Sequence, residues 1–600
     1  MELNHLSLDI HSLLDGYAKG SFTPADVIET IEARIRRQPD HNAWIRRLGR
    51  KELQVYLDAL GPYDPEKPLY GIPFAIKDNI DLEGVPTTAG CPDYAYVPKQ
   101  SAFVVQCLID AGAIPMGKTN LDQFATGLVG ARSPYGAGHN SFDYDSISGG
   151  SSSGSAISLA MGQVSFSLGT DTAGSGRVPA AFNNLVGLKP THGWLSTSGV
   201  VPACRSLDCV SIFALTADDA ECVLAIAGQF DASDDYARQS PPSEAAFDSG
   251  HFRFGVPPKE QLEFFGNQDG AELFAKAIEQ LKTLGGKKIE IDFEPFLEAA
   301  RLLYEGPWVS ERYVAIESFI NEKPDSLFPV THEIISSGAE PLAADAFKSQ
   351  YRLRQLKRRT ECVWDTVDFV LTPTAGRAYT IEEVEADPIQ LNSNLGYYTN
   401  FMNLLDFSAV AIPAGFQKDG YPFGVTLFAP SFTDRALMTA GDRLHRALVS
   451  TQGATGLPLP EPASEKELPV GWTQVAVCGA HLSGLPLNHQ LTDRKAYLLE
   501  ATKTSPNYQL YALPGGPPYR PGLVRDEKEG VAIEIEVWAI PLEHYGSFVA
   551  GIPAPLGIGM LETEAGDWIQ GFACDDYALA DARNISTFGG WRAYLKEQGT

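Results

Sequence analysis

Two short tracts of serine and glycine constrain this chain more than any other feature. The first, "SISGGSSSGSA", runs from Ser146 to Ala156, and the second, "TDTAGSGRVPA", from Thr170 to Ala180. Such a tract standing alone reads as a flexible linker. Here the first feeds a small-residue helix, "SAISLAMG", and the second follows "QVSFSLGTD", whose alternation predicts a strand. Ordered segments on both sides make the tracts turns. A helix start offers free N–H groups and a positive dipole end to negative charge. A strand running into Ala173-Gly174-Ser175-Gly176 presents a serine among exposed amides, which acyl transfer needs for its oxyanion.

A nucleophilic serine needs a base. His139 and His192 lie near in sequence, but neither stands in a context that ties it to a triad. Gly150 to Gly154 spells GxSxG, yet the hydrolase elbow requires a strand directly before it, and "HNSFDYDSIS" is polar and turn-like. Lysine can serve when burial lowers its pKa towards neutrality. In "GIPFAIKDNI", Lys77 ends an apolar strand, where desolvation is expected; a strand-end lysine reaching solvent is the plainer alternative. The segment "GAIPMGKT" matches the Walker A spacing, but "AIPM" reads as the strand itself and Pro115 removes an amide donor. It predicts no nucleotide site.

The first 60 residues read as helices. In "TPADVIETIEARIRRQ", Thr23 is the cap and Pro24 the first helical residue. From about residue 70, apolar strands alternate with amphipathic helices, which predicts an α/β fold. "DGAELFAKAIEQLKTLGGKKIEI" repeats that pattern as helix, glycine stop and strand. Residues 453–472, rich in Pro, Gly and Glu, read as a linker between a domain at 1–452 and a small α+β domain at 473–600. In the latter, Glu534 and Glu536 share one strand face, which a role in a site and an edge strand facing solvent explain equally, and His481 sits in a Gly-flanked loop.

A net charge of −28 argues against nucleic acid or an anionic membrane as partner. No run reaches the ~18 apolar residues of a membrane span, and no signal peptide is visible. The 8 cysteines form no CxxC pair, which suits reduced thiols in a cytoplasm, and the 11 histidines show no ligand spacing, so neither metal nor cofactor is expected.

Four motifs, "GIPFAIKDNI", "GAIPMGKTNLDQFA", "SISGGSSSGSA" and "TDTAGSGRVPAAFNNLVGLKPT", occur in one order over roughly residues 20–450. Together they closely resemble the amidase signature family of Ser-cisSer-Lys hydrolases. The resemblance implies a mixed sheet surrounded by helices, with Lys77 as base, Ser151 as bridging serine on a cis peptide bond and Ser175 as nucleophile. It also implies backbone oxyanion donors from Thr172, Ala173, Gly174 and Ser175. Ser152 and Ser153 are expected to hydrogen-bond the turn.

The catalytic core does not name the amide. In "RLLYEGPWVSERY", Tyr304 and Arg312 are about 2.2 helical turns apart and are expected to share one face, where the arginine can clamp a carboxylate. The plain alternative is a surface helix whose Arg312 pairs with a nearby Glu. With the small C-terminal domain, this segment resembles a branch of the family acting on a small anionic amide, with Tyr304 and Arg312 holding its carboxylate. Gly127 and Ser133 are weaker pocket candidates. The resemblance further implies a homodimer, substrate supplied by a urea carboxylase or a triazine-degradation pathway, and a γ-glutamylcyclotransferase-like C-terminal fold in which His481 marks a second site. Three rivals remain: a broad small-amide hydrolase, the glutaminase subunit of a tRNA amidotransferase, and a non-catalytic scaffold with a C-terminal binding module.

Overall fold

Eleven short strands pair into one mixed sheet, buried and largely apolar in its centre and half-exposed at its edges. The computed structural model describes residues 5–241, 250–462, 468 and 471–598. In chain order the strands are β1 (Trp44–Arg47), β2 (Pro73–Lys77), β3 (Ile114–Thr119), β4 (Phe166–Asp171), β5 (Val186–Lys189) and β6 (Cys209–Ala214). There follow β7 (Phe252–Val256), β8 (Gly286–Glu290), β9 (Phe369–Pro373), β10 (Phe407–Phe416) and β11 (Pro422–Pro430). Their spatial order is β1-β3-β2-β4-β6-β5-β10-β11-β9-β7-β8. β2 pairs in parallel with both β3 and β4, whereas β4 meets β6 antiparallel. Every residue of β2, β3, β4 and β6 is buried, as strands covered on both faces must be. Whatever hangs from their ends is therefore held on a rigid, dry frame.

The helix Pro24–Arg37 starts as expected, with Thr23 Oγ1 accepting from the Asp26 amide and Asp26 accepting from the Thr23 amide. The first 60 residues are not all helical, however. Between this helix and the helix Arg50–Leu60, β1 adds antiparallel to β3. A four-residue edge strand is too short to show a period, so only its partner reveals it.

The described residues form two compact units, the larger carrying the eleven-stranded sheet. The stretch from Gly453, expected to be linker, starts on this unit. Ala454 donates its amide to the Ala160 carbonyl, Asn184 holds the Thr451 and Gly453 carbonyls, and Arg446 reaches Pro460. Residues 463–467, 469 and 470 lie outside the described residues.

The smaller unit is β-rich. A five-stranded sheet contains β12 (Trp472–Val477), β13 (Tyr497–Lys503), β16 (Glu534–Pro541), β17 (Leu556–Glu562) and β18 (Trp568–Cys574), in the order β13-β16-β12-β18-β17. β14 (Tyr508–Ala512), β15 (Pro521–Arg525) and β19 (Arg583–Asn584) form a second, three-stranded sheet. Val475, Leu510, Ile535, Ile540 and Trp591 pack in a shared core. β16 is interior, not an edge, and this changes the reading of its two glutamates. Glu536 is buried and accepts from the Ser483 amide, the Trp538 indole and Arg592, which also pairs with Glu534.

Candidate active site

β2 delivers Lys77 at its C-terminal end, and none of the lysine is exposed. Its ammonium nitrogen lies 2.8 Å from Ser151 Oγ and 2.8 Å from Thr170 Oγ1. Burial drags the Lys77 pKa down from 10.5 to about 7, while Asp122, Asp208 and Asp171 pull upward and Arg312 adds to the fall. A lysine so placed can hold or release a proton near neutrality.

Ser151 belongs to the first Gly/Ser tract, which is wholly buried from Ile147 to Ala156. The Gly150–Ser151 peptide bond is cis. The turn is tied at both ends, with the Gly150 amide donated to the Leu128 carbonyl and the Ser151 carbonyl accepting from the Asp122 amide. A Cβ at residue 150 would stand 2.2 Å from Asp122 Oδ2 and 2.4 Å from the Gly130 nitrogen, so only glycine fits. Ser152 and Ser153 donate to the Thr170 and Asn120 carbonyls, which makes them parts of the turn. The helix Ser153–Ala160 follows directly.

Ser175 sits in the turn after β4, and Asp171 organises that turn. Its carboxylate accepts from the Gly174 and Gly176 amides and from Arg177, all at 2.9 Å. Burial alone would raise the Asp171 pKa, but Arg177 overrides it and holds the carboxyl below its ordinary value. The expectation for Gly174 is thereby corrected: its N–H is engaged by Asp171 and is not an oxyanion donor here. Among the described residues, the amides of Thr172, Ala173 and Ser175 have no such acceptor. The Thr172 hydroxyl is donated to Asp208, whose carboxyl burial pushes up.

The hydroxyl of Ser175 points to the Gly127 carbonyl at 3.5 Å. No hydrogen bond between Ser151 and Ser175 is formed among the described residues, so Lys77 and Ser151 are in contact while the second link stays open. His139 stacks on Tyr144 and His192 packs edge-on to Tyr236, so the lysine has no histidine competitor here.

Tyr304 and Arg312 meet, though not on one helix face. Gly306 and Pro307 break the segment into the helices Glu294–Glu305 and Trp308–Glu322, because proline cannot donate to the preceding turn. Across that break the Arg312 guanidinium stands 5.6 Å from the Tyr304 ring centroid. Arg312 is buried, and donates to the Ala125 carbonyl and Thr126 Oγ1. It does not pair with its neighbour Glu311, which accepts from the Ser206 amide and hydroxyl instead. Gly127 reaches Ser175, whereas the Ser133 hydroxyl is donated to Asn120 at 2.6 Å and serves the loop.

Three contributors escaped the sequence reading: Thr170, Asp171 and Asp122. Asp171 had a legible signal, an aspartate opening a glycine turn closed by arginine. Thr170 and Asp122 had none, since their roles depend on Lys77 and Gly150 arriving from other strands and turns.

In the smaller unit, His481 follows β12 and lines a cavity of about 300 Å³ with Cys478, Gln490, Arg520, Pro553 and Phe572. Its Nε2 lies 3.0 Å from Gln490 Oε1, its ring packs on Phe548 and Phe572, and burial holds its pKa below the ordinary value.

Residues 26–438 match the family described as Amidase, and residues 473–596 match the family described as Allophanate hydrolase C-terminal domain. The solved structure of Kluyveromyces lactis allophanate hydrolase is 40% identical, with a TM-score of 0.85, over 98% of this chain and 99% of that one. Urea amidolyase of Saccharomyces cerevisiae is 45% identical over 93% of this chain and 31% of its own length. A glutamyl-tRNA(Gln) amidotransferase chain of Lawsonia intracellularis is 32% identical over 74% of this chain and 98% of its own. The chain spans about a third of the length of the urea amidolyases it matches.

Proposed function

The chain belongs to the amidase family, and from that premise we propose that it hydrolyses the terminal amide of allophanate, urea-1-carboxylate. The observation that carries the substrate class is Arg312, buried against Tyr304 and, among the described residues, hydrogen-bonded to neutral acceptors on the loop whose Gly127 carbonyl meets Ser175. A buried guanidinium bonded to no carboxylate has room for an anion, and a planar fork suits a carboxylate. The substrate supplies one.

In the proposed reaction Ser175 leaves the Gly127 carbonyl and turns its hydroxyl to Ser151. Neutral Lys77 takes the Ser151 proton as Ser151 takes that of Ser175, and the Ser175 oxygen bonds to the amide carbon. The amides of Thr172, Ala173 and Ser175 receive the oxyanion. Lys77 returns its proton through Ser151 to the departing nitrogen, the C–N bond breaks and ammonia leaves. Water then cleaves the acyl ester and frees Ser175. The product, N-carboxycarbamate, loses carbon dioxide to carbamate, which falls apart, so one allophanate yields two ammonia and two carbon dioxide.

We assign the decarboxylating step to the cavity of the smaller unit, with His481 as its acid-base group and Arg520 as the cation for the dicarboxylate. A γ-glutamylcyclotransferase-like fold for this unit, a homodimer, a cytoplasmic setting and a urea carboxylase or triazine pathway as supplier belong to the same proposal. The relatives called urea amidolyase support the first supplier.

The test is ammonia yield on allophanate, malonamide and glutamine. Two ammonia per allophanate, lost in Ser175→Ala, is the expected result. Preference for glutamine would instead favour the glutaminase role, in line with the amidotransferase relatives, and absence of fluorophosphonate labelling at Ser175 would favour a scaffold.

A further inference from the structure

Resting on the reading above, we propose that Arg132 is a second cation of the anion pocket and that it acts with Arg312 to set the preference for a charged amide. The motif "FATGLVGARSP" drew attention to Gly127 and Ser133 but passed over the arginine between them.

Arg132 is buried, at 2% exposure. It donates to the Thr126 and Pro388 carbonyls, and its Nε has no acceptor among the described residues. The guanidinium therefore shares one short loop with Arg312: Arg312 holds the Ala125 carbonyl and the Thr126 hydroxyl, and Arg132 holds the Thr126 carbonyl. The Arg132 Cδ lies 3.2 Å from the position a Cβ on Gly127 would take, directly beside the residue that faces Ser175. Arg132 lies within the fields of Asp122, Tyr304 and Arg312.

Two buried guanidinium groups on one loop repel each other, and among the described residues no carboxylate bonds to either; Asp122 favours the Arg132 cation, and Asp208 and Glu311 the Arg312 cation, through space alone. Asp122 accepts from the backbone amides of Gly130 and Arg132. Glu311 is taken by Ser206, and Asp208 by Thr172, Ala203 and Cys204. Among the described residues neither guanidinium forms an ion pair. Buried charge met only through space remains costly, and a ligand of opposite sign that bonds to it directly lowers that cost. The proposed substrate carries a carboxylate, whose two oxygens can accept from both guanidinium groups, while its oxyanion falls to the amides of the turn at Ser175.

Malonamate and malonamide, an anionic and a neutral amide on one skeleton, provide the test. Arg132→Gln keeps a donor and removes the charge. It is expected to lower kcat/KM for malonamate about tenfold more than for malonamide, chiefly through KM. Arg132→Lys, restoring the charge without the fork, should recover most of that preference, and Arg312→Met should retain a several-fold preference supplied by Arg132. Equal losses on both substrates in Arg132→Gln would make Arg132 a structural clamp and overturn the inference. Should Arg132→Gln not fold, Arg312→Met decides, since complete loss of preference there leaves Arg132 no part. Failure of the functional reading looks different: wild-type protein would then release no ammonia from allophanate or show no preference for malonamate.

Discussion

Lys77 Nζ stands 2.8 Å from Ser151 Oγ, with the lysine wholly removed from solvent. Because burial brings its pKa to about 7, the neutral, proton-accepting form grows in as pH rises through that value. The rate constant kcat/KM should therefore climb through about pH 7 and level off above it. The same shift has a stability sign: between about 7 and 10.5 the unfolded chain binds a proton that the folded chain lacks, so stability rises with pH across that window. A profile that falls through pH 7 would remove Lys77 from the base role.

Thr170 is the second acceptor on Lys77. Thr170→Val leaves the shape and removes an oxygen that favours the ammonium form. The acid limb of the pH profile should move to lower pH, with kcat/KM reduced about tenfold as the amine loses its anchor. An unmoved limb would show that Ser151 alone positions the lysine.

Asp171 and Arg177 are a fully buried pair on which the turn carrying Ser175 depends. Asp171→Asn strands a charged guanidinium and is expected to cost about 3–5 kcal/mol, read as a lowered denaturant midpoint. In the wild type, this carboxylate's contribution is present above its unfolded pKa, near 4, and is lost as pH falls through the lower folded value. A stability within about 0.5 kcal/mol of wild type, the usual scale of surface substitutions, would contradict the account.

His481→Ala separates the two units chemically. Release of the first ammonia should be unaffected, while carbon dioxide evolution lags behind it. Glu536→Gln, which weakens the hold on the Ser483 turn, should produce a milder lag of the same kind. If carbon dioxide keeps pace in both variants, the smaller unit has no part in the decarboxylation.

Legibility in the sequence followed how local each feature is. The strand ending in Lys77, the helix after the serine tract and the cap at Thr23 are each written within a few residues and appear where expected. Features that need a partner did not. Trp44–Arg47 is a strand because β3 is beside it, and Glu536 is buried because β16 lies between β12 and β13. The proposed clamp was expected on one helix face; Gly306 and Pro307 break that helix, and the pair meets across the break instead.

Motif order and residue chemistry alone determined the family and the α/β class, and they carry the proposed serine-lysine site, since each rests on short contiguous segments whose spacing is covalent. Which amides remain open for an oxyanion, which carboxylates answer which arginines and whether Ser175 faces Ser151 or Gly127 were decided only by the folded chain. Hydrogen bonds are exclusive: a group can be assigned only after every competitor brought alongside it by packing has been placed.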